Sequence, residues 1–526
     1  MAPTISESGL RGLRTSFLIA LFAVFYYTSG FAGTRPEIDV PVNPRTIAEY
    51  DTVAGVVMYW NPGSNSSYDY IVTAVANGIQ SRATLFFQTN NDSHRLNMIN
   101  TLSNNGVPLD NIVFIGVYGG RIWIRDHGPF SIYDDDHLAF VGFNDLATNH
   151  VDQDLTQRLA EYWDLNYYDF SHIIFDGGNY LVDNHNRLFA TDRLYTNNPT
   201  IPAEHIDTIL ESYMGIEEIF TFQALSNDYW GHLDMQVKLL NDTTFIISTV
   251  DSWHSDYQIL QNNLAILESL THPEGKEYQI VQIHKADNWK TYINSLIVND
   301  AVLVPIYSHA LDAIALQAYQ DLMPGTEVIG IDCNAMIQWE GAIHCITNQL
   351  PPFHAIQDDD DDDDNGDDDN GDDDNGDDDN GDDDNGDDDN GDDDNGDDDN
   401  GDDDNGDDDN GDDDNGDDDN GDDDNGDDGD ETSIRDIQTG IVADSFRVFP
   451  NPATDIALIE FTVKLQDDYQ LEIIDINGSI IRKVNIPAWY TGEYSLAVNA
   501  AEMDSGTYII RLSGSRGSNV LRLIIP

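Results

Sequence analysis

Apolar residues along this chain fall into short paired runs separated by polar turns. NYLVDNHNRLFAT from Asn179, MQVKLLNDTTFIIST from Met235 and NSLIVNDAVLVPIY from Asn294 each read as two strands folded around a polar turn. Between them lie stretches with another rhythm: in DLTQRLAEYW and IDTILESYM the apolar residues recur at helical spacing. The pattern predicts repeated mixed α/β units, each beginning beside a polar residue. Marking Asp126, Asn179, Asp234, Asn294 and Cys345 gives intervals of 53, 55, 60 and 51 residues. Periods in this range signal repeated supersecondary units, and five of them suggest a closed ring of α/β blades with its polar markers near the axis. An ordinary β-rich chain also shows recurrent hairpins, so spacing alone leaves other arrangements open.

The rhythm divides the chain into parts. Residues 40–355 carry the mixed pattern, and residues 440–526 return as a β-rich tail. Between them the sequence Asp-Asp-Asp-Asn-Gly repeats twelve times from Asp367 to Gly426 with no apolar residue. Nothing in such a segment offsets its ordering entropy, and its like charges repel, so residues 358–430 are expected to form a disordered, extended linker. A calcium-loop reading fails because the five-residue period puts Gly where a ligating Asp is needed. The first 33 residues read as an export signal: Arg11 and Arg14, an apolar run from Phe17 to Tyr27, then small residues through Gly33. That run falls short of the ~20 residues that cross a bilayer. No later run is longer, so no transmembrane segment is expected in the mature chain.

Charge narrows the partners. The 526 residues carry a formal net charge of -76, and the 46 aspartates between Asp358 and Asp430 leave -30 for the rest. An acidic chain lacks the Lys and Arg that displace counterions from phosphates, which excludes nucleic acid and favours cationic partners such as arginine-containing molecules. Only two cysteines occur. An exported chain with so few is no disulfide scaffold, and one of the two is expected to be chemical. Cys333, in an apolar strand pattern, fits a packed thiol. Cys345, after a Gly and a His in EGAIHC, is the candidate nucleophile, although a disulfide between the two would silence it.

Other polar groups stand where sites are built. In YWGHLDMQVKLL, alternation puts His232 and Asp234 on one face of a strand. Taken alone, this reads more simply as a structural histidine beside a surface aspartate. In GGRIWIRDHGPF an apolar strand is expected to end at Asp126, before Gly128 and Pro129, with Arg125 as the alternative ion-pair partner. FDGGNY offers Gly177 and Gly178 for a close backbone approach. A thiol near its ordinary pKa of ~8.5 needs a neighbouring cation to ionise. A guanidinium supplies one, and its planar fork pairs with two carboxylates. Thiolate attack on its central carbon would give a tetrahedral adduct; His232 would protonate the departing ammonia and then activate water for hydrolysis to a urea-type product.

The ordered set WIRDHGPF, FDGGN, GHLD, YINSLIVN and EGAIHC, opened by IAEYDTVAGVVMYW, resembles the Porphyromonas-type peptidylarginine deiminase family, which includes agmatine deiminases. The resemblance covers about Arg45 to Pro352. It implies a pentein-like, five-bladed α/β propeller with its site on the axis. It further implies Cys345 as nucleophile, His232 as acid and base, Asp126 and Asp234 as guanidinium clamps and Asn294 as a further site residue, with Trp123 and Gly231 lining the pocket. The tail, with FRVFPNPATD, LEIIDINGSIIRKV and MDSGTYIIRL, resembles a type IX secretion sorting domain, implying a small C-terminal β-sandwich, the type IX machinery as partner and a secreted or cell-surface location.

The expected function is conversion of peptidyl-arginine to citrulline and ammonia, without cofactor or metal and with activity that survives chelation. Deiminases favouring C-terminal arginine carry paired arginines after the first Asp motif; FNDLATNHVDQD has none, so agmatine or another small guanidine remains a substrate alternative. A Cys-His protease and a non-catalytic surface-binding module are the other readings.

Overall fold

The computed structural model describes residues 40–147, 152–287, 289–353, 440–442, 445–465, 467–488 and 491–526. The export signal expected at 1–33 and the linker expected at 358–430 lie outside the described residues.

Residues 45–350 form five small sheets on one plan, in which an antiparallel strand pair is followed by a helix and a third strand returns parallel to the second. In one sheet, strand Val237–Asn241 pairs antiparallel with Thr244–Thr249; helix Tyr257–Ser269 then leads to the parallel strand Gln279–His284. The same order recurs through strands Phe130–Asp134, His137–Asn144 and Asn166–Ile174, through Leu181–Val182, Arg187–Thr191 and Glu218–Phe222, and through Leu296–Val298, Ala301–Ile306 and Glu327–Asp332. The fifth sheet joins the two ends of this region: strand Asn348–Leu350 pairs antiparallel with strand Gly55–Met58, Leu350 opposite Gly55. Strands Thr84–Gln88 and Ile112–Ile115 continue that sheet in parallel.

The paired runs of the sequence are these antiparallel strands, and the helical rhythm of DLTQRLAEYW is helix Leu155–Trp163, whose Leu155, Leu159, Ala160 and Trp163 are buried. Middle strands such as Arg187–Thr191 are buried on both faces. They are covered by helices on one side and neighbouring strands on the other, so they read as continuous apolar runs rather than strict alternation.

Residues 447–525 form two antiparallel sheets, one of strands Arg447–Phe449, Ile456–Val463 and Gly492–Asn499, the other of Asp467–Asp475, Ile480–Ala488, Gly506–Gly514 and Gly517–Ile525. Ile459, Phe461, Leu471, Ile473, Leu496 and Ile510 share one buried cluster between them. This region lies against the first through an ion pair of Arg95 with Glu460 at 2.6 Å and another of Arg482 with Asp110.

Two local expectations are corrected. Asp126 does not end a strand: Ile124–His127 is a single helical turn, and the strand begins at Phe130. His232 and Asp234 do not alternate along a strand either, since Leu233–Met235 is one turn of 3-10 helix and the strand begins at Val237. A strand would keep both side chains in parallel on one face; the turn separates them and lets each meet its own partners.

Candidate active site

Asp126, Asp176, His232, Asp234, Asn294 and Cys345, drawn from five separate stretches of sequence, meet where the sheets begin. Cys345 occupies the 3-10 turn His344–Ile346 and is buried. Asn294 pins that turn by accepting hydrogen bonds from the backbone N–H of Ala342 at 3.1 Å and of His344 at 3.2 Å. Its Nδ2 donates to Asp234 Oδ2 at 3.0 Å and lies 3.3 Å from Cys345 Sγ. The thiol stands 3.9 Å from the same Asp234 oxygen.

His232 enters from the other side. Its Nε2 is 3.0 Å from Asp176 Oδ2, and its Nδ1 is 3.8 Å from Asp126 Oδ1. The ring packs so tightly on the backbone that a Cβ on Gly178 would sit 2.4 Å from Nδ1. Gly231, just before it, holds φ at +68°, a conformation that favours glycine. Asp126, His232 and Cys345 of this group line a cavity of ≈ 60 Å³ together with Trp123, Trp230 and Trp339, while Asp176, Asp234 and Asn294 stand behind them. Gly231 is not among its lining residues: a Cβ there would meet Arg193, while its neighbours Trp230 and His232 face the cavity. Asn179, the remaining interval marker, accepts from the Thr191 backbone at 2.7 Å and so ties its sheet together.

The electrostatics are those of an anionic cluster. Burial, followed by the Asp234 charge, pushes the Cys345 thiol up to about 12, with His232 partly opposing. Burial also raises Asp126 to about 8, against the pull of His232 and with the push of Asp176. Burial disfavours charge on His232, yet Asp126 and the hydrogen bonds with Asp176 and Cys345 hold it well above imidazole's ordinary range. Two carboxylate oxygens, Asp126 Oδ1 and Asp234 Oδ1, are buried without a hydrogen-bond partner. Buried polar atoms in native proteins are nearly always paired, so two orphan acceptors in one cluster have the chemistry to receive a donor-rich cation.

Residues 45–351, more than half of the chain, match the family model described as Porphyromonas-type peptidyl-arginine deiminase. The chain belongs to this family. Deiminases of this kind act as hydrolases on the C–N bonds of guanidino groups, and that activity class is this chain's. An agmatine deiminase of Pseudomonas syringae pv. syringae is 24% identical over 291 residues, covering 47% of this chain and 79% of the relative. A solved structure from Porphyromonas gingivalis superposes with TM-score 0.53 at 23% identity, covering 60% of this chain and 100% of that one. The agmatine deiminase of Enterococcus faecalis does so with TM-score 0.52 at 19% identity, covering 59% and 96%. These likenesses establish the mixed α/β pentein fold. Residues 447–526 match the secretion system C-terminal sorting domain, which marks the chain for type IX export to the surface or medium.

Among the described residues, no helix is long and apolar enough to cross a membrane. Both cysteines of this deiminase are free thiols, so the disulfide alternative is absent. Cys333 follows strand Glu327–Asp332 directly and is fully buried; burial and Asp332 raise its pKa steeply.

The structure also adds polar residues that sequence reasoning missed. Asp176 lies in the FDGGNY turn, which drew notice for its glycines while its carboxylate carried the contact to His232. His344, beside Cys345, places Nδ1 2.6 Å from Asp234 Oδ2 and Nε2 3.2 Å from Glu49 Oε2. Glu49 is held in turn by Lys238 Nζ at 2.5 Å. A separate group of His185, Asp242 and His272 brings its ligating atoms within 4.8 Å of one another. There, Lys276 Nζ is 2.7 Å from Asp242 Oδ2, and His272 Nδ1 accepts from the Glu274 backbone N–H at 3.1 Å. A metal-bound imidazole donates its second N–H, and this ring accepts instead, so the group reads as a hydrogen-bonded hub.

Proposed function

We propose that this chain is an exported guanidine deiminase that converts arginine side chains in peptides to citrulline and ammonia through a covalent Cys345 intermediate. The observation that carries the reading is the pair of unpartnered oxygens, Asp126 Oδ1 and Asp234 Oδ1, on the two aspartates whose charges act on the Cys345 thiol. In this reading the five sheets are the blades of a propeller, with the clamp on its axis, and the C-terminal sheets form the β-sandwich address tag of a secreted or cell-surface enzyme. The N-terminal 33 residues serve as its signal peptide, and the Asp-rich tract is a spacer.

The guanidinium enters as a cation between the two carboxylates, and its planar N–H groups satisfy both orphan oxygens. Its charge offsets the aspartates that keep the thiol protonated, so the Cys345 proton leaves to solvent as substrate binds. The thiolate attacks the central carbon and forms a C–S bond. His232, held protonated by Asp126 and Asp176, gives its proton to the departing nitrogen, which leaves as ammonia. A thiouronium remains on Cys345. Neutral His232 then takes a proton from water, the resulting hydroxide attacks the same carbon, and the C–S bond breaks to return the thiolate and release the ureido product, while the hydroxyl proton leaves to solvent, where the freed ammonia takes it up. Neither metal nor cofactor enters this sequence.

Peptide substrates suit the mouth of the cavity. Trp339 is 61% exposed, and Tyr229, 66% exposed, stacks edge-on against Trp230 at 5.2 Å, giving apolar area for chain on either side of an arginine. Agmatine is the second reading. Asp228 Oδ2 is buried and unpartnered, and burial raises its carboxyl; burial, then Asp228, raises that of Glu340 at the cavity rim. This acidic pair suits a second, distal cation, and the agmatine deiminases among the relatives favour the same substrate. Purified protein incubated separately with an arginine peptide, free arginine and agmatine, with ammonia and ureido product measured, tests both. Turnover of the peptide supports the first reading; turnover of agmatine alone replaces it with the second; new amine termini without ammonia point to a protease. An inert wild type, or a Cys345→Ala variant with undiminished ammonia release, removes the mechanism.

A further inference from the structure

The geometry points to Glu49 and His344 as positioning residues that hold Asp234 in register for the substrate's guanidinium without touching substrate themselves. This rests on Asp234 acting as a clamp, as above.

Consecutive residues at the site face opposite ways. Asp126 and Cys345 line the small cavity described above, whereas their chain neighbours Arg125 and His344 line a second cavity of ≈ 70 Å³ together with Glu49. The floor of the site is therefore one residue thick, and its far side carries the charged groups Glu49 and Arg125 beside His344. Through that floor His344 Nδ1 reaches Asp234 Oδ2 at 2.6 Å, the same oxygen that accepts from Asn294 Nδ2 at 3.0 Å. An ionised carboxylate only accepts, so Nδ1 is the donor. Two donors converging on Oδ2 fix the position and rotation of the carboxylate, and Oδ1 is left as the unpartnered oxygen.

Behind His344 stands a carboxylate that faces the ring as an ion-pair partner, although Nε2 makes no hydrogen bond. That Nε2 lies 3.2 Å from Glu49 Oε2, and Glu49 is braced by Lys238 Nζ and by the Ile297 backbone N–H at 3.0 Å. Lys238 Nζ also donates to the Ser295 carbonyl at 2.9 Å, next to Asn294, so one buried ammonium anchors the supports of both Asp234 donors. Burial opposes charge on Glu49, but Lys238 and His344 together hold its carboxyl well below the usual range. A buried ion pair is a poor way to gain stability, because desolvation offsets most of its attraction. Its position beneath Asp234 is the informative fact.

The test separates the two ring nitrogens. Asn places its amide where Nδ1 stands, and Gln places it where Nε2 stands. H344Q keeps a contact to Glu49 but loses the donor to Asp234, and is expected to raise KM for the guanidine about tenfold or more, the effect of losing one hydrogen bond to a charged group. H344N keeps that donor and is expected to recover KM to within about threefold of wild type. E49Q, which leaves Nδ1 in place but loosens the ring, should fall between them. Wild-type KM and kcat in folded H344Q overturn the proposal, as do equal losses in H344N and H344Q with equal drops in Tm, which a purely structural role would give. If H344Q does not fold, E49Q decides, and an unchanged KM overturns the proposal. Wild type and Cys345→Ala on the same substrates report separately on the deiminase mechanism.

Discussion

Two clusters in this molecule use the same ingredients and end in opposite states. At the hub, Asp242 receives His185 at 2.9 Å, His272 at 3.0 Å and Lys276 at 2.7 Å, and its carboxyl falls to about 2: burial is the largest single influence and raises it, but the hydrogen bonds from Lys276, His272 and His185 together outweigh burial. At the site, Asp126 is near one histidine at 3.8 Å, has no hydrogen bond to Oδ1, and rises to about 8. The hub has spent its hydrogen-bonding capacity internally and stabilises the fold. The site holds capacity in reserve, which costs stability until a cation arrives. The residue types do not distinguish them; the count of acceptors left unmatched does.

The comparison breaks most plainly at Cys345. C345A is expected to lower turnover by at least about 10⁴-fold while melting close to wild type, read by ammonia release and thermal denaturation; retained turnover would mean that the reserve belongs to something other than a nucleophile.

The next largest effect pairs opposite outcomes. Asp126 has a raised folded pKa, so its contribution to stability is full below its ordinary value of 3.8 and is lost as pH rises through about 8. D126N should therefore lose about 10²- to 10³-fold in kcat/KM yet melt about 2–4 °C higher at pH 8, with little change at pH 4. Asp242 has a lowered folded pKa, so its contribution is present above 3.8 and lost as pH falls through about 2. D242N should melt about 2–4 °C lower at pH 7, the effect of losing about 1–2 kcal/mol in a partly exposed network, with kcat/KM within about twofold of wild type. Matching signs in the two melting experiments would erase the distinction.

A milder probe is pH alone. Because the clamp needs an ionised Asp126, kcat/KM for a guanidine is expected to climb as pH approaches about 8; a flat profile from pH 6 to 9 contradicts that role. Smallest of all is chelation. With His272 Nδ1 already accepting a backbone N–H, EDTA is expected to leave both activity and Tm unchanged, and a drop in Tm would turn the hub into a metal site.

The repeated α/β units were legible in the sequence because apolar runs broken by a polar turn and the 3.6 period of helices are local properties, visible in NSLIVNDAVLVPIY and DLTQRLAEYW respectively. Asp126, His232 and Asp234 were legible as residues but not as geometry: each sits in a single turn, and one turn is too short to show a period. Asp176, Glu49, Lys238 and His344 went unseen for another reason. Their partners are distant in sequence, 56 residues between Asp176 and His232 and 189 between Glu49 and Lys238. No local pattern announces a contact that only the assembled fold creates.

The pairing of Asn348–Leu350 with Gly55–Met58 also sets a timetable. The thiol at Cys345 lies three residues before the last strand of its region, and that strand's partner is among the first elements synthesised. At roughly 5–20 residues per second, the early strand waits many seconds for its mate, and contacts of such long range form late. A chain cut short before Asn348 thus carries most of the scaffold without its closing strand, so the site comes together only once the whole of residues 45–350 has been made.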